Sequence, residues 1–294
     1  MKKIIKSIIL LPAKLLLFIN FGYEKLICII LPRFIGLNHQ LLIDKLDSSL
    51  MSIKHNNKRL FRIYTPNSLC RFRGDTFSSK EPETLEWIDR YGGPNCVFFD
   101  IGANIGLYSL YYATTKLGKV YSFEPSAFNL KQLAKNISIN NQQEIITIVP
   151  NPLSNITGES IFINGDQAEG GSLSAFGVDF GFDGLKIQSD IKYGLLGFSL
   201  DDLMKANIFS DEPTLIKIDV DGIEHIILKG AINTLRSTKL RSILIEVNDD
   251  FKSQSKEVEI ELINAGFKLQ EKAQSDYLHN STYFGRTFNQ IWIK

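Results

Sequence analysis

Four apolar runs in this chain of 294 residues each lead to a carboxylate: VFFD to Asp100, KVYSFE to Glu124, TLIKID to Asp219 and SILIE to Glu246. A strand buried on both faces delivers the residue at its carboxyl end to the edge of a parallel sheet, where α/β proteins hold ligands. The first run enters Gly102, Ala103, Asn104, Ile105 and Gly106, a tight turn opening a helix predicted over 107–116 with Asn104 as its N-cap. Glu124 stands 22 residues beyond Gly102. That is about the separation at which an acid meets ribose hydroxyls in doubly wound folds. The loop reads G-x-x-x-G, without the central glycine that brings a backbone against a pyrophosphate. The pattern therefore predicts a nucleoside ligand that carries no diphosphate.

Asp219 is the first candidate for a general base, because its strand ends beside the glycine turn. Glu246 follows, and His225 is third. Asp219, Asp221 and Glu246 are also a candidate set of hard oxygen ligands for magnesium. Capping competes for several acids: Asp201 and Asp202 read as caps of a helix over 202–206, and Asp221 with Glu224 reads as a capping pair. Lys217 is expected to be the exposed position of an otherwise buried strand.

The positioning elements follow from periodicity and turn chemistry. Helices are predicted over 39–50, over 81–90 with Pro82 near its start, over 126–140 and over 252–265. The helix over 126–140 should bury Phe128, Leu130, Leu133, Ala134 and Ile137. Residues 145–149 read as the third sheet strand, and 267–272 with 289–294 as the closing pair. The loop between that pair, with Tyr277, His279 and Tyr283, is placed on the acceptor side. Nearer the start, Arg59–Tyr64 reads as a strand paired with 68–75 across a Pro66-Asn67 turn, and Arg71 and Arg73 are either contacts for an anionic acceptor or simply solvated. Residues 158–198 hold 9 of the 21 glycines and read as a hairpin and lid, with Asp166, Ser172 and Ser174 as candidate acceptor contacts.

A composition of 44% hydrophobic and 22% charged residues is that of an ordinary globular protein. Cys28, Cys70 and Cys96 are odd in number and form no ligand spacing, which argues against a disulfide framework or a zinc site and for a reducing, cytoplasmic setting. Net charge is +1, but residues 1–73 carry 13 Lys and Arg against 3 acids, so the remainder is acidic. Such asymmetry points to an anionic surface as a partner. Residues 1–33 are rich in Ile and Leu, yet their longest uncharged run, 15–23, has 9 residues, about half of what a spanning helix needs. Lys14 also interrupts the apolar core that a signal peptide would require. The expectation is a segment lying on the inner face of the plasma membrane. The alternative is helices packed on the catalytic domain or on a second subunit.

DIGANIGLYSL, VYSFEPSAFNLKQLAKNISIN, LIKIDVDGIEHIILKGA and ILIEV occur in the order and at the spacing of the FkbM family of S-adenosylmethionine-dependent methyltransferases, which the chain resembles from about residue 80 onward. The resemblance implies an α/β class I methyltransferase (Rossmann-like) fold: a seven-stranded, mostly parallel sheet with helices on both faces, covering 80–294 and preceded by a basic, helical extension over 1–79. It assigns Asp100, Gly102, Asn104 and Gly106 to the methionine and adenosine wall and Glu124 to the ribose hydroxyls, with Phe123 and Ser126 flanking the pocket. It further implies methyl transfer to oxygen, with a hydroxyl of a saccharide or glycolipid precursor as acceptor. Nucleic acid is not an expected partner, because the fourth strand ends in DVDG rather than a D/N-P-P-aromatic signature. Two rival readings are an NAD-dependent oxidoreductase and a donor-binding, membrane-docking protein without catalysis.

Overall fold

The computed structural model describes residues 2–30, 36–275, 279 and 285–294. It divides into two compact units, Met1–Ser49 and Leu50–Lys294. The first contains the helices Lys2–Ile30 and Leu37–Asp47.

In the larger unit, β1 (Leu50–His55) and β2 (Lys58–Tyr64) form a hairpin turning at Asn56 and Asn57, both in the left-handed region. Asparagine tolerates that backbone, which tight hairpin turns require. The predicted partner of this strand, 68–75, is instead the helix Ser68–Asp75, whose N-cap Asn67 accepts a hydrogen bond from the Cys70 amide. A capping asparagine thus outweighs the alternating pattern. Asn136 and Asn140, on the helix Ala127–Ile139 and at its end, accept hydrogen bonds from the Tyr64 and Arg62 amides and so tie β2 to the sheet layers.

The central sheet is built from β3 (Val97–Ile101), β4 (Lys119–Phe123), β5 (Ile146–Val149) and four later strands. Between them, β6 (Gly158–Ile163), β7 (Ala175–Phe176) and β8 (Lys192–Gly197) form a separate antiparallel sheet from the glycine-rich segment. The chain then returns through β9 (Leu215–Ile218), β10 (Ser242–Asn248), β11 (Lys268–Ala273) and β12 (Thr287–Ile293). The order across the main sheet is β11-β12-β10-β9-β3-β4-β5, and only β12 runs antiparallel to its neighbours. The direction of winding reverses at β3, so a crevice opens at the carboxyl ends of β3 and β9, where α/β folds bind ligands.

Side chains alternate along β3. Val97, Phe99 and Ile101 enter one apolar core, and Phe98 enters the other with Leu110, Tyr112 and Leu133. The helix Ala127–Ile139 presents a different face from the one its apolar spacing predicts. Asn129, Gln132, Leu133, Asn136 and Ile137 are buried, whereas Ala134 is exposed and Phe128 and Leu130 are half-buried. The buried asparagines bond backbone groups of other segments, a role apolar periodicity cannot reveal.

Candidate functional site

Gly102 leaves β3 with φ +85°, and a Cβ there would overlap the Asp219 carbonyl oxygen. Glycine at this position therefore lets the loop pass directly over the end of β9. Asn104, also left-handed, donates its backbone N–H to Glu124 Oε2 at 2.7 Å and its side-chain Nδ2 to the Gly171 carbonyl at 2.7 Å. It does not cap the following helix, which runs Leu107–Lys116 from a left-handed Gly106. A Cβ on Gly106 would meet Leu133, so that glycine serves helix packing.

Two adjoining cavities, of about 70 and 220 Å³, flank this loop. They share a wall made of Gly102, Asn104, Gly171, Ser172, Asp219 and Asp221. The smaller is an apolar slot with one acidic edge, formed by Phe123, Leu153, Phe162, Ile223 and Ile227 around Glu124. Glu124 is 5% exposed, and burial pushes its carboxyl up to about 7 against the pull of the Ser126 and Asn104 amides. Each Glu124 oxygen takes one of those amides, with Ser126 donating to Oε1 at 2.9 Å. The Asn129 side chain is a third partner, which leaves the carboxylate acceptor capacity for a hydroxyl. An apolar slot ending in such a carboxylate suits a ribonucleoside.

The larger cavity contains the acids. Carboxylate oxygens of Glu81, Asp219 and Glu246 lie within 4.8 Å of one another. Two lysines lie among them: Lys80 Nζ is 2.5 Å from Glu81 Oε1, and Lys217 Nζ is 2.8 Å from Asp219 Oδ2. The Tyr108 hydroxyl donates to Glu81 Oε2 at 2.9 Å. Burial alone would push Asp219 up, but the Lys217 and Lys80 ammoniums override it and hold the carboxyl below its ordinary range. Glu246 goes the other way, raised well above that range by burial and by the charges of Asp219 and Glu81. The two acids that the sequence nominates for catalysis are thus pushed in opposite directions, Asp219 toward its charged form and Glu246 toward its neutral form.

Several predicted roles change. Lys217 is 1% exposed, not solvent-facing, because it sits opposite Asp100 in the β3–β9 register and pairs with Asp219. Asp100 lines neither cavity. It is fully buried below the loop, accepts from Ser109 Oγ at 2.6 Å, and its Oδ1 has no hydrogen-bond partner among the described residues. Gly106 and Ser126 also line neither cavity, and Ser126 instead donates its hydroxyl to Asn164. Asp221 does not join the acidic triad. Its Oδ2 accepts the Leu173 amide at 2.6 Å, and burial next to Asp219 raises it to about 6. Glu224 does not pair with Asp221 as a cap but reaches back to the Val220 and Gly222 amides, holding the turn that carries both aspartates. His225 is buried against Phe251 and lines neither cavity. Ser199 caps the helix Leu200–Lys205, while Asp201 caps Ile232–Arg236 through the Asn233 and Thr234 amides.

The glycine-rich segment crosses the mouth shared by the two cavities. Gly170 and Gly171 are held by Arg73, Asn104 and Asn129, and Leu173 by Asp221. Ser172 lines both cavities, Ser174 the smaller and Asp166 the larger. In the loop between β11 and β12, Tyr277 and Tyr283 lie outside the described residues. Sequence reasoning gave Lys80, Glu81 and Tyr108 no role in the site. Lys80 and Glu81 lie beside Pro82 in a K-E-P-E-T stretch that marks a helix start as readily as a site, and Tyr108 carries no such signal.

A sequence model of the methyltransferase FkbM domain matches residues 100–269. No curated relative matches the chain. Among solved structures, an FkbM methyltransferase from Methylobacillus flagellatus KT is 14% identical, with a TM-score of 0.47; the match covers 88% of this chain and 60% of that one. The precorrin-6y C5,15-methyltransferase of Geobacter metallireducens GS-15 is 13% identical over 73% of this chain and 86% of its own, with a TM-score of 0.43. Aeropyrum pernix fibrillarin, solved with natively bound S-adenosyl-L-methionine, is 11% identical over 69% and 68%, with a TM-score of 0.41. The chain thus spans less than two thirds of the Methylobacillus protein's length. Because the domain match runs over more than half of its residues, the chain belongs to the FkbM family of S-adenosylmethionine-dependent methyltransferases.

Proposed function

We propose that this protein methylates a hydroxyl oxygen of a saccharide or glycolipid precursor, with the nucleoside of the donor in the smaller cavity and the acceptor in the larger. The observation that carries the reading is the position of Asp219. It stands in the wall common to both cavities, where Lys217 and Lys80 favour its charged form, next to Glu246, whose surroundings favour the neutral acid. S-adenosylmethionine, when bound, supplies an electrophilic methyl group. A hydroxyl attacking it must lose its proton, and Asp219 is the group placed to accept that proton. Glu246 can donate a hydrogen bond to a neighbouring oxygen, so the pair suits an acceptor with adjacent hydroxyl or ether oxygens. Gly102, Asn104 and Glu124 orient the donor, and alignment of this kind contributes about 7–11 kcal/mol to such displacements.

Magnesium is not part of this reading. Lys80 and Lys217 already place two positive charges among three carboxylates, of which Glu246 is pushed toward its neutral form, and this leaves little negative charge for a divalent cation. Family membership favours methyl transfer over hydride transfer to NAD.

The test is transfer of labelled methyl from S-adenosylmethionine by purified protein into fractionated host extract, with and without a chelator. Label in saccharide or glycolipid that is stable to mild base and insensitive to chelation is expected. Label confined to protein or amines would overturn the acceptor class.

A further inference from the structure

The helix Lys2–Ile30 is the most apolar exposed surface of the protein. Leu11, Leu15, Leu16, Phe18, Ile19 and Ile29 all face solvent, Phe18 at 76% and Ile29 at 81% exposure. A contiguous apolar surface on that scale marks a place of attachment. At 3.6 residues per turn, Lys14, Asn20, Glu24 and Lys25 fall on one side of this helix, together with positions 2, 3 and 6, which are also lysines. Leu11, Leu15, Phe18, Ile19 and Ile29 fall on the other. Leu10, Leu17 and Phe21 interrupt the polar side. That side is where the second helix attaches: the Phe21 ring lies 5.2 Å from His39, and Glu24 accepts the Gly36 amide at 3.1 Å. On the polar side Glu24 is buried and Asn20 half-buried, whereas Leu11, Leu15, Phe18, Ile19 and Ile29 on the other are all exposed.

Three occupants could cover such a face, and charge separates them. The helix sequence holds five lysines and one glutamate, so a second copy would bring like charges together. Among the described residues no helix is long and apolar enough to cross a membrane, and in this one Lys14 breaks the apolar stretch near its middle. An anionic lipid surface answers both features at once: acyl chains receive the leucine and phenylalanine side, and phosphate headgroups meet lysines along its margins. We propose that Lys2–Ile30 lies in the plane of an anionic lipid surface and holds the methyltransferase there. A lipid-anchored enzyme would meet glycolipid acceptors by diffusion in two dimensions, although the proposal does not depend on the acceptor.

The test is flotation of the full-length protein with vesicles of phosphatidylcholine alone and of phosphatidylcholine mixed with phosphatidylserine. Flotation with the mixed vesicles is expected, falling about tenfold in the neutral ones and in high salt. The double variant Lys14→Glu, Lys25→Glu should behave with mixed vesicles as the wild type does with neutral ones. Phe18→Glu with Ile29→Glu should abolish flotation. Both variants should bind S-adenosylmethionine as the wild type does, which shows that the catalytic unit is folded. Absence of flotation with mixed vesicles would overturn the proposal. So would flotation that is indifferent to lipid charge, salt and both lysine changes, since that is the behaviour of a spanning helix. A stable dimer that leaves the vesicles unbound would assign the face to a second copy.

Discussion

Lys217 Nζ and Asp219 Oδ2 lie 2.8 Å apart at the end of β9, with Lys217 only 1% exposed. The same ammonium stands 5.2 Å from the Tyr108 ring and acts across the register on Asp100. Buried lysine is tolerated here because two carboxylates and an aromatic face replace its lost hydration. The pairing keeps Asp219 charged, which is the state a proton acceptor needs. Lys217→Met should leave the fully buried Asp100 without its opposing charge and Asp219 with Lys80 alone, at a cost of about 3–5 kcal/mol in unfolding free energy. Denaturant titration measures that cost, and a loss below about 1 kcal/mol would mean that the pair is solvated.

Asp219 and Glu246 should differ when changed to their amides. Asp219→Asn removes the proposed proton acceptor and should lower single-turnover methyl transfer by about 10²–10⁴-fold with donor affinity retained. Glu246→Gln puts a neutral hydrogen-bond donor where burial and the neighbouring carboxylates already favour the neutral acid, so a loss of about tenfold or less is expected. Equal losses in the two variants would remove the division of roles.

Donor binding should depend on pH through Glu124. In the proposed donor pose ribose hydroxyls donate to the ionised carboxylate, and burial raises this group from 4.5 to about 7. Protonation below that pH therefore weakens binding: affinity should fall by about tenfold from pH 8 to pH 6. Glu124→Ala should cost about 1–3 kcal/mol of donor affinity at pH 8 and flatten the pH profile. Calorimetric titration at both pH values checks both statements.

Gly102→Ala tests the crossing of the loop over β9. Its positive φ and the clash with the Asp219 carbonyl act together. Thermal unfolding should show a loss of about 2 kcal/mol or more, accompanied by lost donor binding.

Asp221→Asn should loosen the glycine-rich strap. The Asp221 carboxylate takes the Leu173 amide at 2.6 Å and more weakly that of Ser174 at 3.4 Å. A hydrogen bond to a charged acceptor contributes about 1.5–3 kcal/mol. Exchange of the Leu173 amide with deuterium should accordingly speed up by about ten- to a hundredfold.

The residues that announced themselves in the sequence did so through local rules. Apolar runs made β3, β4, β9 and β10 legible, and the acid after each run was placed at the ligand edge because strand direction dictates it. The G-x-x-x-G turn, Pro82 and the glycine density of 158–198 were legible for the same reason: backbone permissiveness belongs to the residue itself. What the sequence could not determine was which acids face one another. Glu81, Asp219 and Glu246 come from three separate segments, and Asp221, two residues from Asp219, turns instead to Leu173. Lys217 read as exposed because a lone lysine in a strand usually is, and only the placement of Asp100, Tyr108 and Asp219 around it makes its burial affordable. The buried Asn129 and Asn136 likewise depend on partners at Gly170, Tyr64 and Ile105, which no periodicity in their own helix encodes. Local propensity fixes elements and their ends, whereas the state of a buried charge is set by groups that only the tertiary fold brings within a few ångströms.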